Sequence, residues 1–390
     1  MKPSLIAASL VAVAMQAIPA FAADKVKIGL ITTLSGPQAG PGVEARDGFN
    51  LALKLNGGKL GGLPADVVLA DDQLNPETGK QLADRLIKRD RVDFLTGIIY
   101  SNVLLAVGPV AFDSKTYYIS NNAGPSQYAG EGCNPYFFAA SWQNDVIHEA
   151  PGKFAFDRGF KNVFLLAANY PAGRDAMAGF KRFYTHKPAD EVYTKLGQLD
   201  YSAELAQIRS TKPEAVYFFL PGGMGVNFVK QFVASGLSKD VTLIATGVTA
   251  DEDVIRATGE SMIGLFNAAH WSADLDNAAN RKFVAAFEKE YGRLPTAYAS
   301  QTYDTALMID AAIRDVKGRI EDKEALGKAL RAARFQSVRG DFRLANNHFP
   351  IQSYYLRVIG KDSKGRVTNK TIGTVLTNHG DSFAKMCKMK

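Results

Sequence analysis

The chain has 390 residues, 46 basic and 39 acidic, for a net charge of +7 at pH 7. That length exceeds what one ordinary core organises, so two lobes are expected. The positive excess is spread out with no Lys/Arg block, which argues against nucleic acid as a partner and for a solvated surface.

Lys2, the apolar stretch Leu5 to Ile18 and the triplet Ala20-Phe21-Ala22 have the order of an export signal, with cleavage expected after Ala22. A membrane anchor is the alternative, but Gln16 and Pro19 interrupt a run already short for a bilayer. No later stretch is long and apolar enough to span one. A soluble, exported protein that is not membrane-inserted is therefore expected, in the periplasm of a bacterium with an outer membrane. Removing residues 1–22 leaves 368 residues with 45 basic and 39 acidic side chains, a net +6.

From Lys25 onward, short β-branched runs alternate with amphipathic stretches, the pattern of a parallel sheet covered by helices. Val26 to Thr32 is the first strand, followed by Leu34-Ser35-Gly36-Pro37 and a helix over Val43 to Leu55. The run Gly57-Gly58-Lys59-Leu60-Gly61-Gly62 precedes a strand instead of opening a helix, so it reads as a hairpin and not as a phosphate cradle. Ala65 to Ala70 is the second strand, and Asp71-Asp72 at its end suits capping better than a metal or acid/base pair. A helix over Pro76 to Arg89 follows, with Asn75 as its N-cap. Strands at Val92 to Ile99 and Thr116 to Ser120, with a helix over Val103 to Phe112 between them, complete one doubly wound half.

Cys133 follows a Gly130-Glu131-Gly132 turn and Cys387 lies near the C-terminus. In an oxidising compartment an even pair bridges, so one disulfide tying the tail to the body is expected; two free thiols are the competing reading. After Trp142-Gln143-Asn144 a second half begins, with a helix over Val146 to Asp157 and strands at Val163 to Ala168, Glu191 to Lys195, Ala215 to Leu220, Val241 to Ala245 and Gly264 to His270. Helices return over Asn280 to Tyr291, Ala297 to Val316 and Lys323 to Ala333, Ser337-Val338-Arg339-Gly340 closes them as a turn, and late strands follow at Ile351 to Ile359 and Thr371 to Leu376.

Enzyme motifs are missing: there is no G-x-S-x-G elbow, no Walker loop and no G-x-G-x-x-G after the first strand. His148, His186, His270, His348 and His379 are far apart in sequence, so no metal site is expected, and no cofactor. Tyr100, Trp142, Tyr170, Trp271 and Tyr298 all fall at or just past element ends, within reach of a cleft between two lobes. As a group they suit an apolar pocket with a few polar anchors.

The first strand with Leu34-Ser35-Gly36-Pro37, the Gly57 to Gly62 hairpin, Asp71-Asp72 with Pro76, and Val92 to Gly97 with Ser101 resemble the leucine/isoleucine/valine-type periplasmic binding proteins of ABC transporters. The resemblance runs from Lys25 to about Gly360. It implies a type I periplasmic binding fold, two doubly wound α/β lobes joined by a three-crossover hinge that close on a ligand. On that pattern residues 23–142 and 273–350 form the N-terminal lobe, and 143–272 and 351–390 the C-terminal lobe. It also implies a monomer that partners an ABC permease and ATPase complex.

The resemblance implies that Ser101 and the Asn121-Asn122-Ala123-Gly124 loop hold a ligand carboxylate. Two departures bear on the ligand. Tyr170-Pro171-Ala172-Gly173 has alanine where family members for aliphatic amino acids carry tyrosine. Thr246-Gly247-Val248-Thr249 lacks the acid that pairs with an α-ammonium, and the next acid is Asp251. A buried ammonium without a carboxylate is costly. The expected ligand is therefore an aromatic or other non-amino carboxylic acid, held among Tyr100, Ser101, Asn122, Gly124, Trp142, Tyr170, Thr249 and Tyr298. An amino acid with Asp251 or Glu252 as countercharge is the alternative, and an exported ligand sensor is the competing reading from another class.

Overall fold

The structure, a computed structural model, describes residues 23–389, so the expected export signal lies outside the described residues. The first elements are β1 (Val26–Thr32), α1 (Gly40–Leu55), β2 (Lys59–Leu60), β3 (Leu63–Asp71), α2 (Pro76–Lys88), β4 (Phe94–Thr96), α3 (Ser101–Asp113), β5 (Tyr117–Ser120) and β6 (Phe137–Ala139). They build one sheet in the order β2-β3-β1-β4-β5-β6. Only β2 is antiparallel within it; β1 lies parallel between β3 and β4, with Ile28 opposite both Val67 and Phe94. Val26, Ile28, Leu30 and Ile31 are buried, as a strand covered on both faces requires.

The second half contains α4 (Asn144–Asp157), β7 (Val163–Ala168), α5 (Pro171–Phe183), β8 (Asp190–Thr194), α6 (Ser202–Thr211), β9 (Ala215–Phe219), α7 (Gly223–Ala234), β10 (Thr242–Thr246), α8 (Glu252–Thr258) and β11 (Phe266–Ala269). Helices α9 (Ala278–Tyr291), α10 (Ala297–Asp315) and α11 (Lys323–Ala332) follow, then β12 (Arg343–Leu344), β13 (Pro350–Lys361) and β14 (Val367–His379). The second sheet runs β12-β13-β11-β10-β9-β7-β8, with β14 on β13. Helices α5, α6, α7 and α8, between its strands, had no element assigned to them from the sequence.

Helix α10 returns to the first lobe and packs along α1. The approach is close enough that a Cβ on Gly48 would meet the Ala299 carbonyl oxygen at 2.1 Å. The chain thus crosses between two α/β lobes three times, as expected. The hairpin is also present, with Lys59 opposite Pro64 and Leu60 opposite Leu63, and its four glycines take positive φ. Asp71 and Asp72 serve structure: Asp71 accepts from the Leu34 and Gln73 N–H groups, and Asp72 from the Thr33 hydroxyl and the Leu74 N–H. Asn75 caps α2 by accepting from the Glu77 and Thr78 N–H groups.

Cys133 and Cys387 are bonded, with Cα atoms 5.7 Å apart. Asn346 and Asn347 reinforce the tie by donating to the Cys387 and Ala384 carbonyls and to the Asp381 carboxylate. The tail beyond His379 is therefore fastened to first-lobe loops, which corrects the assignment of all of 351–390 to the C-terminal lobe. No described helix is long and apolar enough to cross a membrane.

Candidate functional site

The parallel strands of both sheets point their C-termini at a shared cleft, where open α/β sheets place ligands. In the first lobe, β4 stops at Thr96 because Gly97 takes φ 108°, a conformation that only glycine adopts freely. Its N–H donates to Asn121 Oδ1 and that of Ile98 to the Tyr118 hydroxyl, so residues 97–100 leave the sheet and deliver Ser101 to the start of α3. The strand expected over Val92 to Ile99 is shortened for this reason.

Ile99, Tyr100, Ser101, Asn122, Ala123 and Tyr298 form the first-lobe wall of a narrow inter-lobe cavity of about 20 Å³. Tyr170, Phe219, Pro221, Val248, Ile147 and His148 form the opposite wall, with Trp142 and Asn144 at the crossover. The rings are organised: Tyr170 lies 6.2 Å from both Tyr100 and Phe219, stacked on the latter, and His148 meets Phe219 edge-on at 4.6 Å. A larger groove on the outer side of α10, lined by Asp310, Arg314 and Phe335, is open to solvent and away from all strand ends.

Ser101 is prepared to donate. Asn144 spends both amide protons, one on Ser101 Oγ at 3.1 Å and one on Asp175 Oδ2 at 2.9 Å, while its own oxygen accepts from the Gly124 N–H. The Ser101 oxygen is thus an acceptor already, and its proton has no protein acceptor among the described residues. The first N–H groups of α3 also lack intrahelical partners and carry the positive end of the helix dipole. Together they offer donors suited to an anion, with no cation beside them among the described residues.

The lobes are closed on each other around this cavity. The Tyr298 hydroxyl donates to the Val248 carbonyl across the cleft, and the Ala297 N–H donates to Asp251 Oδ2 at 2.6 Å. Ser126 binds Asp175 on one rim, and Arg256 pairs with Glu44 on the other.

A strand-end cleft closed by two lobes is the arrangement of a capture protein, and the periplasmic binding protein family matches residues 25–365. The chain belongs to that family. It is a solute-binding protein of the ABC-transporter type. Among solved structures it is similar to an R. palustris ABC transporter solute-binding protein in complex with benzoate: 31% identity, TM-score 0.88, covering 93% of this chain and 99% of that one. A second, from Rhodopseudomonas palustris BisB5 in complex with 3,4-dihydroxy benzoic acid, is 30% identical with a TM-score of 0.85 and covers 92% and 99%. In sequence it is 28% identical over 381 residues to Leu/Ile/Val-binding protein homolog 6 of Brucella melitensis, 95% of this chain and 96% of that one.

In this periplasmic binding protein the cavity is electrically neutral: none of the residues lining it is Asp, Glu, Lys or Arg. Burial pushes the Tyr100, Tyr170 and Tyr298 phenols up, so they stay protonated, and drives His148 down to about 3, so its imidazole stays uncharged. The acids proposed as alternative countercharges face elsewhere. Asp251 accepts from α10, and Glu252 accepts from the Thr368 hydroxyl and the Asn369 N–H.

Six of the eight sequence-derived ligand residues, Tyr100, Ser101, Asn122, Trp142, Tyr170 and Tyr298, border the cavity. Gly124 does not. It is a glycine because a Cβ there would meet the Trp142 carbonyl oxygen at 2.0 Å, and it contributes by holding Asn144. Thr249 does not either; it is fully buried beneath the wall, where it bonds the Thr246 hydroxyl. Trp271 is also in the core, donating to Asn280. Asn122 spends its side chain largely on Ile99 and Gln301. Asn144, His148 and Phe219 were missed. The Phe219-Leu220-Pro221-Gly222-Gly223 run carried the same strand-end signal as Gly97 to Ser101 and could have pointed to Phe219.

Proposed function

We propose that this protein captures an aromatic or other non-amino carboxylic acid in the periplasm and delivers it, as a monomer, to an ABC permease and ATPase complex. The observation that carries this reading is a neutral, aromatic-walled cavity in which the Ser101 hydroxyl, its oxygen already accepting from Asn144, sits at a helix N-terminus. A carboxylate finds donors there, and a flat apolar body finds Tyr100, Tyr170, Phe219 and Tyr298. An α-ammonium would be buried with no carboxylate to meet it, at a cost of several kcal/mol. The solved relatives in complex with benzoate and 3,4-dihydroxy benzoic acid support the same ligand class. Export by the residue 1–22 signal, and movement of residues 23–142 and 273–350 against 143–272 and 351–379, belong to this proposal.

A branched-chain amino acid is the second reading, favoured by the Brucella relative's name. Calorimetry on ligand-free protein separates the two: benzoate and 4-hydroxybenzoate bind and leucine gives no heat. Tight leucine binding with none for the aromatic acids overturns the proposal. Ser101→Ala is expected to weaken benzoate by about 1–3 kcal/mol, the loss of one donor to a charged group, or about 5- to 150-fold in Kd. An unchanged Kd removes Ser101 from the anchor.

A further inference from the structure

Asn144 and His148 lie four residues apart on α4, and both border the cavity. Side chains at this spacing share one helix face with Cβ atoms about 5–6 Å apart, comparable with the span from the carboxyl carbon to the para substituent of a benzoate. Asn144 marks the carboxylate end, because it holds Ser101. His148 marks the position one turn further on.

His148 is 1% exposed, and its Nδ1 is taken by the Tyr217 hydroxyl. Its Nε2 makes no hydrogen bond among the described residues. Tyr217 and Phe219 occupy successive same-face positions of β9, with Phe219 nearer the cleft. The bond from Nδ1 toward Tyr217 therefore points into the second lobe, which turns Nε2 toward the cavity. The remaining second-lobe wall is apolar apart from Tyr170, whose ring lies against Tyr100. An imidazole nitrogen that no protein group meets, in a wall otherwise apolar but for Tyr170, is open to a hydrogen bond from a ligand group.

We propose that His148 Nε2 hydrogen-bonds a hydroxyl on the ring edge opposite the carboxylate, so that the protein selects para-hydroxylated benzoates over benzoate. This rests on the aromatic-acid reading of the cavity. Tyr217 acts as a positioning residue that fixes the imidazole from behind.

Calorimetry with benzoate and 4-hydroxybenzoate tests it. The wild-type protein is expected to bind 4-hydroxybenzoate about 10-fold more tightly, the worth of one well-made buried hydrogen bond. His148→Phe should bring the two ligands to within about 2-fold of each other, whatever it does to benzoate affinity itself, because the contact to the para hydroxyl is what distinguishes them. Tyr217→Phe, which leaves the imidazole in place but unanchored, should narrow the preference in part and serves if His148→Phe does not fold. Equal wild-type affinities, or a preference that survives in His148→Phe, overturn the role of His148 and leave the aromatic-acid reading standing. Absence of binding by both ligands to the wild-type protein overturns both.

Discussion

Asp304→Asn should lower the unfolding free energy by about 3–5 kcal/mol, the cost of leaving one member of a buried ion pair alone. Asp304, on α10, and Arg339, in the turn after α11, are both essentially inaccessible. The carboxylate accepts from the Ser337 hydroxyl at 2.5 Å, the Val338 N–H at 3.1 Å and Arg339 Nε at 3.1 Å. The guanidinium in turn donates to the Ala140 and Ser141 carbonyls and to Gln352. One buried cation thus ties α10 to two of the three crossovers. Burial pushes Asp304 up and Arg339 down, each toward its neutral form. A guanidinium nevertheless does not deprotonate in a protein, and here its hydrogen bonds are well satisfied, so the pair remains charged. Urea unfolding at pH 7 provides the measurement. A loss under about 1 kcal/mol would show that the pair is not held as described. The double replacement Asp304→Leu with Arg339→Met should recover part of the loss, since it removes both charges from the interior.

Asp253→Asn should act in the opposite direction, stabilising the protein at pH 8 by about 2–4 kcal/mol. Asp253 is partly buried where α8 faces the first lobe. Its Oδ2 lies against Gly40 at the start of α1, and its Oδ1 has no hydrogen-bond partner. Burial, reinforced by Glu44 and opposed by Arg256, pushes its carboxyl up to about 7. A folded value above the unfolded 3.8 means that the folded, closed protein holds the proton more tightly. Stability is therefore lost as pH rises from about 4 to about 7, and the loss is complete above that. Asparagine has no such penalty, so its advantage should be full at pH 8 and vanish near pH 4. Thermal unfolding of both proteins at the two pH values measures it, and an advantage that does not shrink on acidification would assign the effect to another group. The Glu44, Asp47 and Arg293 cluster beside Arg256 is common to both proteins and cancels in the comparison.

The cleft itself was largely legible in the sequence because strand ends are local features. The polar and aromatic residues after β4, β5 and β7 follow from hydrophobic runs that stop at Gly97, Ser120 and Ala168, and parallel sheets place those ends on one edge. Tyr100, Ser101, Asn122 and Tyr170 could be named on that ground. Direction around a turn is not local. Thr249, three residues past the end of β10, was indistinguishable in sequence from Val248, yet the turn sends one beneath the wall and the other into it.

By itself the sequence determined the two-lobed α/β class, the serine that opens α3 just past the end of β4, the lack of an acid between Thr246 and Thr249 and a cysteine pair able to bridge. Each is a matter of periodicity, strand-end chemistry or residue inventory, which pairwise distances do not enter. Tertiary structure alone decided that Asn144 holds Ser101, that Arg339 ties the hinge to Asp304 and that Asp251 faces α10 and does not line the cavity. These contacts join residues up to about two hundred positions apart, from Ala140 to Arg339. Their geometry exists only once two lobes have packed against each other, because desolvating a polar side chain obliges it to find whichever partner the other lobe presents.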